Sequence, residues 1–205
     1  GFFVMRNDVD HVFVDCGRGA WALNSANVRV YHNTFVDSVA SFERNERSAV
    51  GDHFGWHPRT GPDVHEREGH VFVGNLLVAS ESFRKPLLRF DQPKALCGRL
   101  TKPQATAVDG NVYVRAATSG PLVVWSPVAG ESCQVEAGSL DELRKLAAGV
   151  EANGRELGGY SGALFRSPEL RRLELARPLP GLAPVDDLPA EVARLLGWPA
   201  AQPRS

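Results

Sequence analysis

The chain of 205 residues lacks an excess of either charge, with 23 Lys and Arg standing against 24 Asp and Glu. No basic stripe offers a footprint for nucleic acid, and no acidic run argues for a disordered tail. Long hydrophobic runs are missing as well. The apolar stretches reach about eight residues, against the roughly 20 that a membrane-spanning helix needs. Cysteine is scarce: Cys16, Cys97 and Cys133 form neither a dense disulfide framework nor a CxxC metal spacing. Cys97 and Cys133 can pair if the fold brings them together, leaving Cys16 free; three buried thiols is the other reading. An initiator methionine and a signal-peptide pattern are also absent, and the chain opens inside a strand-like apolar pattern, GFFVMRNDVDHVFVD. It reads as the C-terminal part of something longer, with N-terminal coils missing. The length supports one good core rather than several. A soluble monomer with no nucleic-acid partner and no membrane span is expected.

What is present is an internal repeat. VMRNDV around Asn7, VYHNTF around Asn33, FVGNLL around Asn75 and VDGNVY around Asn111 share the pattern apolar-x-x-Asn-x-apolar. The flanks are short and rich in Val, Phe, Leu and Tyr, which suits strands better than helices. Asn tolerates left-handed backbone geometry, so it suits a sharp bend between two strands. If such bends stack, the side-chain amides can hydrogen-bond up the stack as a ladder. Asn7 to Asn33 is 26 residues, Asn33 to Asn75 is 42 and Asn75 to Asn111 is 36. Taking 26 as one turn of a solenoid leaves 16 and then 10 extra residues (42 less 26, 36 less 26), which map to loops leaving its surface.

NSANVRVYHNTFVDS (24–38) and GHVFVGNLLVAS (69–80) carry a resemblance to the right-handed parallel β-helix proteins of the pectin-lyase-like superfamily. The resemblance covers roughly residues 1–128. It implies an all-β fold, a single-stranded right-handed parallel β-helix, with a β-sandwich as the competing architecture. It also implies a secreted, periplasmic or cell-surface protein that acts on polysaccharides. The catalytic motifs of that superfamily are not found. Gly69-His70 is followed by Val71 rather than Gly, and no Asn-Thr-Asp occurs, so no catalytic residue carries over.

The densest cluster of chemistry is 53–70, HFGWHPRTGPDVHEREGH, which holds four of the chain's six histidines. His53 and His57 stand at i and i+4, a metal-binding spacing on a helix, but Gly55 and Pro58 oppose a helix there. No metal site is expected from them. Uronate-polymer lyases must neutralise a carboxylate, remove a proton and protonate the leaving oxygen. Arginine or calcium supports the first task, so calcium is the one cofactor the chemistry would accept. Hydrolysis needs two flanking carboxyl groups instead. The stretch supplies His53, His57, Asp63, His65, Glu66 and Arg67 as catalytic candidates. Phe54, Trp56, Arg59 and His70, with Arg84 and Lys85 further on, are candidate substrate contacts. The competing reading is a polar loop ordered by its own turn residues, and an exposed strand edge lined by Arg84, Lys85 and Arg89. The charges of Phe42-Glu43-Arg44-Asn45-Glu46-Arg47 read as a solvated start of the same excursion.

Two regions follow. Residues 1–130 are the coils, with a loop insertion over 40–68. Residues 131–205 are a C-terminal cap, with short helices at 139–149 and 189–196 and a proline-rich tail. The first helix has capping-box spacing between Ser139 and Glu142 and Gly149 as its stop. A stacked sheet exposes backbone donors and apolar rungs at its ends, which such a region can cover. The function expected is a carbohydrate-active protein, a polysaccharide lyase or glycoside hydrolase binding its polymer along the helix flank. The rival is a non-catalytic adhesin or carbohydrate-binding scaffold.

Overall fold

A computed structural model describes residues 7–9, 11–45, 67–118, 120–130, 132–168, 172–182 and 194. Twelve strands come as four windings of three. β1 (Asn7–Val9), β2 (Val12–Val14) and β3 (Ala20–Leu23) are followed by β4 (Arg29–Tyr31), β5 (Thr34–Val36) and β6 (Ala40–Glu43). Then come β7 (His70–Val73), β8 (Leu76–Ala79) and β9 (Leu88–Asp91), and finally β10 (Ala105–Asp109), β11 (Val112–Arg115) and β12 (Val123–Trp125). Strands three apart pair in parallel. This builds a first sheet β1-β4-β7-β10, a second through β2-β5-β8-β11 and a third through β3-β6-β9-β12. The described residues are mostly β, with several parallel sheets and no closed barrel among them.

Alternation within these short strands sends one set of side chains inward. Val30, Phe72 and Val108 stack on the first sheet, and Phe13, Phe35, Leu77 and Tyr113 on the second. Phe42 and Phe90 stack on the third, ring centroids 4.8 Å apart, with Trp125 meeting Phe90 edge-on at 4.9 Å. All but Phe13 of these belong to one fully buried apolar cluster, with Phe13 packed on its edge. Like side chains sit on like because parallel in-register strands place equivalent positions one above the other.

The corner between the first and second sheets is always two residues: 10–11, 32–33, 74–75 and 110–111. Asn33, Asn75 and Asn111 occupy its second position and are buried. Each carbonyl oxygen of these side chains accepts the backbone N–H of the equivalent residue one winding earlier. His11 N–H donates to Asn33 Oδ1 at 2.7 Å, Asn33 N–H to Asn75 at 2.9 Å and Asn75 N–H to Asn111 at 2.8 Å. The amide of Asn75 also donates to Asn111 Oδ1 at 2.9 Å, and that of Asn33 to Asn75 Oδ1 at 3.4 Å. Buried backbone donors at a bend have no sheet partner, and the ladder supplies one.

Two details differ from the sequence reading. The left-handed residue is not the asparagine but the one before it: His32 at φ 55°, Gly74 at 68° and Gly110 at 64°. At Gly74 a side chain is excluded on a second count, since a Cβ there would lie 2.8 Å from the His32 ring. Asn7 is also out of register. Val12 pairs with Thr34, so His11, not Asn7, stands at the position of Asn33. The ladder bonds therefore span 22, 42 and 36 residues, and the base winding is 22.

The extra residues leave from the other corners. The large excursion does not begin at 40, since 40–43 are β6 inside the third sheet; it runs from 44 to 69 between β6 and β7. The next winding is lengthened at 80–87, before β9, and at 92–104, after it. Nor does parallel stacking stop at 130. β13 (Val135–Ala137) joins the third sheet antiparallel to β12, and β14 (Arg155–Gly158) extends the second sheet in parallel with β11. Between them, α1 (Leu140–Leu146) is capped by Ser139, whose hydroxyl accepts from Glu142 N–H at 3.2 Å. Leu140 and Leu143 plug the end of the core. The antiparallel pair β15 (Phe165–Ser167) and β16 (Arg172–Leu175) lies beyond them. Leu164, Phe165 and Leu179 cover the outer face of the second sheet at Leu76, Val112 and Val114. The C-terminal region thus covers a side of the stack as well as its end. The expected helix at 189–196 lies outside the described residues, apart from Arg194.

Cys97 and Cys133 are disulfide-bonded, with Cα atoms 6.0 Å apart, and Cys16 is free.

The ladder makes a measurable claim. Replacing Asn75 with Ala leaves the buried N–H of Asn33 without an acceptor, and each such group costs about 1–3 kcal/mol. Asn75→Ala is expected to lower the free energy of unfolding in urea by about that much or more. Asn75→Asp keeps the acceptor but removes the donors to the carbonyl oxygens of Val30 and Val73, each made at 3.2 Å. It also buries a charge, so it should cost more than the alanine change. An Asn75→Ala protein as stable as the parent would show that the ladder is decorative.

Candidate functional groove

The outward side chains of the third sheet form the one surface where aromatic, cationic and acidic groups meet in a hollow among the described residues. Trp21, Ser41 and Arg89 stand on neighbouring strands at one rung. Leu23, Glu43 and Asp91 stand at the next. Their inward neighbours, Ala22, Phe42 and Phe90, are core, so period-2 alternation fixes which side chains point away from it. Trp21 is 53% exposed, unusual for so large an apolar side chain. The Arg18 guanidinium sits 4.5 Å over its ring and pairs with Glu43 at 3.2 Å. Ser41 Oγ donates to Glu43 Oε1 at 2.7 Å, and Arg89 pairs with Asp91 on its own strand. A hollow of about 470 Å³ lies between Arg18 and Trp21 on one side and Lys85, Pro86 and Arg89 on the other.

Lys85 comes from 80–87, the segment that lengthens the corner before β9. It is exposed, and among the described residues it has no ion-pair partner. Both carboxylates of the groove are already held by arginines, which leaves Lys85 as the uncompensated charge. The hollow therefore favours an anion beside an exposed indole face.

Of the residues singled out from the sequence, Lys85 lines this groove, and the exposed Arg84 stands next to it in the same segment. Arg84 turns its guanidinium onto the carbonyl oxygens of Glu81 and Phe83. His53, Phe54, Trp56, His57, Arg59, Asp63, His65 and Glu66 lie outside the described residues. The remaining two, Arg67 and His70, are interior residues. Arg67 is buried, and its guanidinium donates to the carbonyl oxygen of Asn45. His70 is buried beside Phe42, with Nδ1 accepting the N–H of Val28 at 3.1 Å. Burial, with Arg44 nearby, lowers its pKa to about 4, so its ring is neutral at ordinary pH. Arg44, read as solvated, is also interior.

Trp21, Arg18, Glu43 and Asp91 were not found from the sequence. The signal was there in AWAL, ASFE and LRFD, where Trp21, Glu43, Arg89 and Asp91 alternate with core residues. Among the described residues no group of three or more His, Cys, Asp or Glu converges as a metal ion would require. With Glu43 and Asp91 bound by arginines, the groove does not fit calcium.

A strongly shifted carboxyl group lies outside this groove, at Glu151. Glu151 is fully buried and ends the ladder: Oε1 accepts from the Asn111 amide at 2.7 Å and from the Tyr113 hydroxyl at 2.7 Å. Oε2 accepts from Asn111 N–H at 3.3 Å. Desolvation raises its pKa to about 7 against the opposing pull of these hydrogen bonds, with Asp109 adding a smaller push upward. Tyr113 is raised too, by burial and then by Glu151.

No family model, curated protein or solved structure matches the chain. Fold and groove geometry carry the functional reading alone. No helix is long and apolar enough to cross a membrane among the described residues.

Glu151 gives a pH dependence whose sign is fixed. Its pKa rises from 4.5 unfolded to about 7 folded. Between those values the unfolded chain is ionised while the folded protein keeps the proton. The stabilisation is complete below about pH 4.5 and is lost as pH rises to about 7, by about 3 kcal/mol at roughly 1.4 kcal/mol per unit. Urea midpoints are expected to fall across this window in the parent and to stay flatter in Glu151→Gln. Equal slopes in the two proteins would remove Glu151 as the cause.

Proposed function

We propose that the chain is a right-handed parallel β-helix that binds an acidic sugar polymer along the outer face of its third sheet and cleaves it as a polysaccharide lyase. The hand follows from chirality, since connections returning a strand to the same parallel sheet are right-handed in nearly all cases. Strands three apart pairing through four windings support a solenoid. The single observation that carries the binding reading is the exposed Trp21 facing Lys85 and Arg89 across an open hollow.

An indole face stacks on the apolar side of a sugar ring. Lys85, the uncompensated cation of the groove, meets a uronate carboxylate and neutralises it, which is the first task of β-elimination. The groove is less suited to glycoside hydrolysis. Glu43 and Asp91 stand side by side on adjacent strands, but each is engaged by an arginine rather than poised as acid and base. The same observation favours a second reading, a carbohydrate-binding surface without catalysis. The Cys97–Cys133 bond supports a secreted or periplasmic location, where disulfides persist.

Incubation with a panel of uronate-containing and neutral polysaccharides tests the reading. Unsaturated products absorbing in the ultraviolet are expected from a uronate polymer. New reducing ends without unsaturation would mean a hydrolase, and binding without either would mean a scaffold. Trp21→Ala and Lys85→Ala are each expected to weaken binding about tenfold, a loss of about 1.4 kcal/mol, with little change in stability at such exposed positions. Binding should also weaken with added salt. If both variants bind as the parent does, the groove is not the binding surface.

A further inference from the structure

Arg44 follows Glu43 at the end of β6, and Gln92 follows Asp91 at the end of β9, so they form the rung just beyond the groove's two carboxylates. Arg44 is 2% exposed. A buried guanidinium is tolerated only where acceptors surround it. Its NH1 donates to Gln92 Oε1 at 2.9 Å and to the Lys102 carbonyl oxygen at 2.9 Å, and its Nε to the Arg67 carbonyl oxygen at 3.0 Å. Glu68 lies 3.9 Å from its NH2. Arg67 bonds the Asn45 carbonyl oxygen, and Asn45 N–H donates to Asn24 Oδ1 at 2.9 Å. Arg44 thus clamps together the residues where the chain leaves and re-enters the third and first sheets.

Two of the three hydrogen-bond acceptors named here for Arg44 belong to 92–104, a segment with one 3-10 turn (Lys94–Leu96) and no strand. Cys97, bonded to Cys133, ties that segment to the stretch between β12 and β13, alongside the buried side chains of Leu96 and Leu100. Gln92 touches both ends of the connection. Its Nε2 donates to the Leu100 carbonyl oxygen at 3.0 Å and lies 3.8 Å from Cys133 Sγ, while its Oε1 serves Arg44. A continuous line of contacts runs from the disulfide through Gln92 and Arg44 to Asn45, Arg67 and Glu68.

We propose that the Cys97–Cys133 bond is a redox-responsive strut that holds Arg44, and through it this junction beside the groove, in place. Cys97 is half-buried and Cys133 buried, so a small thiol reductant attacks the sulfur of Cys97. That step forms a mixed disulfide at Cys97 and expels Cys133 as a thiolate, which takes up a proton. A second thiol then releases Cys97 as a thiol. Two electrons and two protons enter the protein, and the reductant leaves as its own disulfide. With 92–104 unanchored, Arg44 loses the Gln92 and Lys102 acceptors and the junction loosens. The strut is independent of what the groove binds.

Hydrogen exchange read by mass spectrometry on the whole chain tests this, in a Cys16→Ser background so that one thiol pair reports. Adding dithiothreitol, or making Cys97→Ser with Cys133→Ser, is expected to speed exchange at least tenfold at 44–45 and 67–70 as well as 97–104. Exchange at the ladder residues Asn33 and Asn75 should hold. Gln92→Leu with the disulfide intact is expected to loosen 44–45 and 67–70 as well. Faster exchange confined to 97–104 would overturn the proposal, as would uniform acceleration across the ladder. So would a Gln92→Leu protein whose junction exchanges as the parent's does.

Discussion

The fold depends on one constraint: a backbone N–H buried at a sharp corner must find an acceptor. In a flat sheet the neighbouring strand supplies it. At the two-residue corner between the first and second sheets the strand has turned away, and the Asn33, Asn75 and Asn111 side chains supply it instead. Each amide also returns a donor to its own or the neighbouring winding, as Asn33 does to the Tyr31 carbonyl oxygen at 3.0 Å. A polar column can then lie inside an apolar core without an unpaired group on its axis, the condition for a buried network to stabilise rather than weaken. The column ends on Glu151 and Tyr113. Both donors of Asn111 need an acceptor there, and a carboxylate provides two oxygens where the next winding would provide one amide.

The repeat was legible because this constraint fixes residue type. An amide is needed at the corner, and apolar residues must stand three before and two after it to meet the core. It failed at its first member. His11 stands where the later windings carry Asn, and its backbone N–H donates to Asn33 Oδ1. Asn7 satisfied the pattern by its neighbours alone. The left-handed position was misplaced by one because the amide's work is hydrogen bonding, not backbone geometry, and the strain falls on His32, Gly74 and Gly110.

The groove was harder to read. Strands of three or four residues give one or two outward positions each, too few for alternation to stand out against the histidine-rich stretch. Lys85 was found because it sits in a visible run of charge. Trp21 resembles a core residue in isolation, and Glu43 and Arg44 look equally solvated in sequence. Only strand register tells them apart: Glu43 pairs beside Asp91 facing out, whereas the Arg44 side chain turns inward onto Gln92 and the Arg67 carbonyl oxygen.

The ladder also decides where a site can be. A corner whose amide must meet the amides above and below cannot lengthen, and it stays at two residues in every winding. Chain length can vary only at the other two corners, as it does at 44–69, 80–87 and 92–104. Both of those corners border the third sheet, one before its strands and one after. Of these segments, 80–87 brings Lys85 and Pro86 to the hollow on that sheet's outer face. The first sheet is lengthened on one side only, and the second has its outer face covered by Leu164, Phe165 and Leu179. The aromatic and charged residues meet on the third sheet because it is the face that the hydrogen-bonding requirement of the opposite corner leaves free to be walled.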